Sequence, residues 1–171
     1  MRSAFSLAIV GGGLAATPLM AADLSLTLQV PQLNVAEYHR PYIAIWLEKA
    51  DGTAAGDLAA LYDVKKADQE GEKWLKDLRQ WWRKSGRNLT LPVDGVSGAT
   101  KPPGTHTLNF GASKTVKALP PGAYTLVVEA AREVGGREML KLPLQWPPAA
   151  LATQSVKGAT ELGAVTLAAK P

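Results

Sequence analysis

The 171-residue sequence predicts a mainly β protein: an antiparallel β-sandwich with one amphipathic α-helix inserted at about residues 72–84. Three observations carry this expectation. Residues Leu24 to Val30 alternate apolar and polar with the two-residue period of a half-buried strand. Turn signals such as Asp51-Gly52, Pro120-Pro121-Gly122 and Gly135-Gly136 recur between short runs of β-branched and aromatic residues. Between the strand runs, Trp74, Leu78, Trp81 and Trp82 fall at the i, i+4, i+7 and i+8 positions of a helix face.

Each element follows in order. Leu24, Leu26, Leu28 and Val30 point inward from the first strand, which Pro31 closes. Tyr42 to Leu47 is the second strand. The Asp51-Gly52 turn returns it into a third at Asp57 to Tyr62. Glu72 to Lys84 is the helix, with Leu75 beside its aromatic face and Lys73, Lys76, Arg79, Arg83 and Lys84 mostly on the other. Its late basic residues suit the helix dipole, and Ser85-Gly86 stops it. Thr105 to Phe110, Ala123 to Ala131, Arg137 to Leu144 and Gly163 to Ala169 complete the strands, with a loop from Pro147 to the last. Seven or eight short strands at this spacing describe an Ig-like sandwich.

Composition bounds the function. Arg2, the apolar stretch from Ala4 to about Ala16, and small residues at Ala21 and Ala22 form a signal peptide over residues 1–22, cleaved before Asp23. The stretch holds three consecutive glycines and Pro18 and is short for a membrane span. The mature chain, residues 23–171, is therefore expected as one soluble, extracytoplasmic domain. Cysteine is absent, which excludes disulfides, a thiolate metal site and a cysteine nucleophile. Lys and Arg number 19 against 15 Asp and Glu, and the leader removes only Arg2. That mild excess is no nucleic-acid signature. P-loop, dinucleotide and nucleophile-elbow patterns are missing from the sequence.

The most informative motif is Asp94-Gly95-Val96-Ser97-Gly98-Ala99-Thr100. It reads D-G-x-[ST]-G-A-[ST] and resembles the acceptor motif of ApbE-type flavin transferases, which join FMN through its phosphate to the last hydroxyl. A chance match in a chain of this length is on the order of one in ten thousand. The chemistry explains the residue types. A phosphoester needs a hydroxyl, supplied by Thr100, and the modifying enzyme must activate it. Gly95 and Gly98 let the backbone turn and approach another surface, and Ala99 keeps the neighbour of Thr100 small. Asp94 shapes the turn through its own backbone. Ser97 fills the motif's other hydroxyl position. The same dipeptides also build plain loops, which would account for the glycines but not for the ordered Gly-Ala-Thr.

A wider resemblance surrounds the motif. Leu33-Asn34-Val35-Ala36-Glu37-Tyr38-His39-Arg40-Pro41-Tyr42, the run from Lys73-Trp74-Leu75 to Trp81-Trp82-Arg83, the flavin motif, and Pro121-Gly122-Ala123-Tyr124-Thr125-Leu126 resemble the family called domain of unknown function 2271. The resemblance covers nearly all of the mature chain. It implies a periplasmic electron-transfer flavoprotein with covalent FMN on Thr100. Its partners would be an ApbE-type flavin transferase and a PepSY-type membrane reductase, with an extracytoplasmic acceptor such as ferric iron. The flavinylated subunits of sodium-pumping quinone reductases carry the motif on another fold, so their likeness extends to attachment and not to redox partners.

Other residues have two readings each. Trp74 and Trp81 are expected to cover the core, while Trp82, about 100° around a helix from Trp81, is the candidate for stacking on the flavin. The basic row is a solvated helix face or a site for an anionic partner. Lys101 is placed to screen an attached phosphate. His39 and His106 lack metal-ligand spacing and suit structural or surface roles. The competing function is a non-redox extracytoplasmic binding or assembly module, since a sandwich fold does not choose among functions.

Overall fold

The computed structural model describes residues 22–171. The leader expected over residues 1–22 lies, but for Ala22, outside them. Nine strands form two facing sheets among the described residues. In chain order they are β1 Asp23–Val30, β2 Tyr42–Lys49, β3 Ala54–Tyr62, β4 Ser97–Ala99, β5 Gly104–Asn109, β6 Gly122–Ala131, β7 Arg137–Trp146, β8 Ala152–Lys157 and β9 Ala164–Lys170. One sheet has the order β5-β1-β9-β8 and the other β4-β3-β2-β6-β7. Every pairing is antiparallel except β3 with β4, which is parallel. The expected β-sandwich is the architecture found.

Alternation explains the shared core. Leu24, Leu26, Leu28 and Val30 of β1 are buried against Ile43, Ile45 and Leu47 of β2 and Leu126, Val128 and Ala130 of β6. The opposite face of β2 is buried as well. There Tyr42, Ala44 and Trp46 join Ala60, Tyr62 and Val127 in a second core under Leu75, Leu78 and Trp81. The five-stranded sheet is thus covered on both faces, by the other sheet and by the segment inserted between β3 and β4.

That inserted segment differs from the helix expected over 72–84. It is a 3-10 stretch, Ala67–Asp77, followed by a short α-helix, α1, Arg79–Lys84. Leu78 breaks them with φ −75° and ψ 68°. Asp68 and Gln69 near the start hold φ of 52° and 58°. The buried residues Leu75, Leu78 and Trp81 recur every three positions, the period of a 3-10 helix rather than of an α-helix. Trp74 consequently faces outward at 41% exposure, and Leu75 takes the place expected for it in the core.

The break is held by the sheet beneath. The backbone N–H groups of Gln80 and Trp81, freed at the start of α1, donate to the Glu129 carboxylate of β6 at 2.8–3.1 Å. Arg137 of β7 supplies that buried carboxylate with its counter-charge. Trp81 Nε1 and Ser85 Oγ both donate to Asp57 Oδ1 at 2.8 Å. Lys84 ends α1 with an ion pair to buried Glu48 of β2 at 2.8 Å. Each of the three contacts satisfies a polar group that the cover would otherwise strand.

Three elements gave no usable sequence signal. β8 is an exposed edge strand, and Thr153, Gln154 and Ser155 supply no apolar alternation. It lies where a loop was expected. β4 is three residues long and lies inside the Asp94–Thr100 stretch. A second short helix, α2, Lys114–Lys117, buries only Val116.

Trp81 is fully buried at the centre of the second core. Trp81→Ala is expected to lower unfolding free energy by about 3–5 kcal/mol. Urea denaturation followed by far-ultraviolet circular dichroism measures this.

Candidate functional site

The motif residues form a turn and then a strand. The N–H groups of Val96 and Ser97 donate to Val93 O at 3.1 and 2.8 Å, while Val93 N–H donates to Ser97 Oγ at 2.9 Å. Gly95 sits in the left-handed region at φ +73° with open space around it, so conformation rather than packing calls for glycine there. A Cβ on Gly98 would lie 3.1 Å from Leu61 Cδ2 of the neighbouring strand. Asp94 is exposed at the head of the turn. Ser97, Gly98 and Ala99 then pair in parallel with Ala60, Leu61 and Tyr62.

This pairing fixes Thr100. Its N–H donates to Tyr62 O at 3.3 Å, one residue beyond the β3–β4 ladder. Its hydroxyl donates to Asp63 Oδ1 at 3.5 Å, the outer reach of a hydrogen bond. Lys66 Nζ lies 3.2 Å from the other oxygen of Asp63. Thr100 is half-buried and lies between two depressions. The shallower, of about 340 Å³, carries Lys65 and Lys66.

The other depression is a cleft of about 330 Å³, within the size range of small-molecule sites. Trp74 and Asp77 of the inserted segment form one side. Tyr38, His39, Arg40 and Tyr42 enter from the approach to β2, and Arg132 and Glu133 from the β6–β7 turn. The Tyr38 hydroxyl, the Tyr42 hydroxyl and Arg132 Nη1 are buried without a hydrogen-bond partner among the described residues. Buried polar atoms in folded proteins are nearly always paired. All three line this one cleft. Burial pushes the Tyr38 hydroxyl above its ordinary value despite the nearby Arg132 and Arg40. Burial pushes Tyr42 up to about 12; the Asp63 backbone N–H, which the hydroxyl faces without a well-formed hydrogen bond, opposes the rise, and the Asp63 carboxylate adds to it. Both hydroxyls therefore keep their protons at neutral pH.

Arg132 is held in place from behind. Its Nε and Nη2 donate to the buried Glu161 carboxylate at 2.8 and 3.2 Å, leaving Nη1 without a partner. Glu161 also accepts the Gly136 N–H at 2.8 Å. The loop carrying Glu161 is fixed by Glu138, which accepts the N–H groups of Ala159, Thr160, Glu161 and Leu162 at 2.5–3.2 Å. Burial alone would raise the Glu138 pKa, but these four donors outweigh it and hold the carboxyl below its ordinary value. At the cleft mouth His39 Nε2 lies 2.8 Å from Glu37, and Nδ1 lies 3.6 Å from Glu133.

The structure brings Trp74, not Trp82, to Thr100. Trp82 is half-buried on the second core, its ring centroid 6.3 Å from that of Trp81. It lines a separate depression with Lys76, Arg79, Gln80, Arg83 and Arg137. Asp94 and Gly95 face another hollow, beside Phe110 and Lys114. Lys66 lines the cleft with Thr100, whereas Lys101, expected to screen an attached phosphate, lines neither depression beside Thr100. Lys84 and Lys73 of the basic row are engaged by Glu48 and Glu70. His106 Nε2 donates to Pro102 O at 2.8 Å on the other sheet. Among the described residues no group of three or more His, Asp or Glu is placed to hold a metal ion. Asp63, Arg132 and Glu161 carried no signal in the sequence, since each acts through a partner at least 29 residues away.

The family described as "Predicted periplasmic protein (DUF2271)" matches residues 23–164. The chain belongs to this family. The match spans both sheets, the inserted segment and the cleft, so the Tyr38 run and the motif are parts of one family domain. No curated protein and no solved structure matches the chain. No helix among the described residues is long and apolar enough to cross a membrane.

Because its folded-state pKa is depressed, Glu138 stabilises the protein above the ordinary glutamate value of 4.5, and this contribution is lost as pH falls through the folded value. Glu138→Gln is expected to be less stable than the parent at pH 7, with the difference shrinking as pH falls below about 4.5. Thermal melts of both proteins across pH 3–7 check the sign.

Proposed function

We propose that this protein is a periplasmic electron-transfer flavoprotein, with FMN joined through its phosphate to Thr100 by a separate ApbE-type flavin transferase. It would pass electrons between a PepSY-type membrane reductase and an extracytoplasmic acceptor such as ferric iron. One observation carries the reading. The hydroxyl that ends the motif sits at the rim of the cleft that gathers three buried, unpartnered polar atoms.

The residues present fit the group. Thr100 is partly exposed just past the end of a strand, where a modifying enzyme can reach it. The turn over Val93–Ser97 and the β3 pairing hold its backbone. Lys65 and Lys66 flank Thr100 and would balance the phosphate, with Lys66 already offsetting Asp63. Attachment forms a bond between Thr100 Oγ1 and the flavin phosphorus. It breaks the pyrophosphate bond of a flavin dinucleotide donor, the nucleoside monophosphate departs with that bond's electron pair, and the hydroxyl proton passes to the transferase's base. Covalent retention suits a compartment where a lost cofactor is not readily replaced.

When bound, the flavin supplies reversible two-electron uptake with release of electrons singly. The protein's part is to seat and orient it. The Trp74 indole offers an exposed aromatic face, and the Tyr38 and Tyr42 hydroxyls remain donors at neutral pH. The competing reading, a non-redox binding or assembly module, would use the same cleft for a free ligand.

Co-expression with an active flavin transferase tests the proposal. The parent and Thr100→Ser should purify yellow, with flavin absorbance surviving denaturation. Thr100→Ala should be colourless after denaturation, with an unchanged circular dichroism spectrum. Retention of covalent flavin by Thr100→Ala would sink the assignment.

A further inference from the structure

The three unpartnered polar atoms specify more than a cleft. Arg132 Nη1 can only donate, and both tyrosine hydroxyls keep their protons at neutral pH. Arg132 Nη1 therefore demands a hydrogen-bond acceptor, and the two hydroxyls can donate to further acceptors on the same ligand. The charge of Arg132 is already matched by Glu161 at 2.8 Å, so the site favours neutral carbonyl oxygens over a full anion. Anionic character belongs beside Thr100, where Lys66 borders both the cleft and the adjoining depression that carries Lys65. Trp74 adds a large, exposed aromatic surface to the cleft wall. A planar heteroaromatic ring with carbonyls at one end and an anionic tail meets all of these demands.

We infer that this cleft seats the isoalloxazine ring, with Arg132 Nη1, Tyr38 and Tyr42 donating to its carbonyl-bearing end and Trp74 lying against its face. The identity of the ligand rests on the flavin reading above, whereas the seat itself does not require the covalent bond. Tyr38, Tyr42 and Arg132 bind the ring directly in this scheme. Glu161 and, through its loop, Glu138 position Arg132.

The inference makes a demand that a structural role would not. Removing an unpartnered buried hydroxyl leaves the unliganded fold unharmed or improves it, yet weakens ligand binding. The experiment titrates FMN into Thr100→Ala protein made without a transferase, following flavin and tryptophan fluorescence. Intact mass of the parent co-expressed with transferase is measured alongside. Saturable quenching is expected. Adding Tyr38→Phe and Tyr42→Phe should raise the Kd about tenfold or more, with melting temperature unchanged or higher. Arg132→Gln should weaken binding further, and Trp74→Leu should reduce the quenching. Should Arg132→Gln fail to fold because Glu161 is left buried and unpaired, the tyrosine variants still decide. The seat is overturned if FMN does not quench saturably, or if both tyrosine changes leave Kd unaltered. The mass of the parent separately reports attachment at Thr100, so either idea can fail without the other.

Discussion

Strand β2 is buried on both faces, and the arrangement around the cleft follows from that constraint. Its odd-numbered residues Ile43, Ile45 and Leu47 meet the other sheet, while Tyr42, Ala44 and Trp46 need a second cover. The chain supplies that cover by leaving β3 at Asp63 and returning as β4. Because β4 runs parallel to β3 with Tyr62 opposite Ala99, the residues that follow the two strands emerge side by side. Asp63 and Thr100 are those residues, and they lie within reach of a hydrogen bond. The threonine is thus positioned by the same path that buries Trp81.

Charges on the outer face of the sheet convert this cover into a fixed wall. Glu129, Asp57 and Glu48 hold α1 at its start, middle and end. A buried carboxylate without partners would be costly, but each here is matched by donors from the cover or from β7. The same logic recurs at the cleft. Glu138 gathers a loop, the loop carries Glu161, and Glu161 fixes Arg132. The chain of contacts ends at Arg132 Nη1, which, with the Tyr38 and Tyr42 hydroxyls, is buried without a partner among the described residues. Polar groups so carefully matched elsewhere give these three their meaning.

Local pattern made much of the fold legible. The alternation of β1, the Asp51-Gly52 turn and the β6–β7 hairpin could all be read directly, because period and turn chemistry are short-range signals. The failures were long-range. Trp74 reads as a core residue at α-helical spacing, but the register is set by Leu75, Leu78 and Trp81 against the sheet, and the break at Leu78 is stabilised by Glu129, about fifty residues along the chain. β8 escaped because an exposed edge strand needs no apolar face. The motif was visible as a string of residue types, yet its being a strand depends on pairing with β3. Tyr38 with Tyr42, Asp63, Arg132 and Thr100 come from four segments, and no spacing rule joins them.

The central claim is a covalent flavin on Thr100. Peptide mapping by mass spectrometry of the parent protein, purified from its native periplasm, tests it most directly. The account predicts that the peptide containing Asp94 to Thr100 is heavier by one FMN less a water, with fragmentation placing the addition on Thr100. An unmodified peptide from a host with an active flavin transferase would contradict it and leave the cleft as the site of a free ligand.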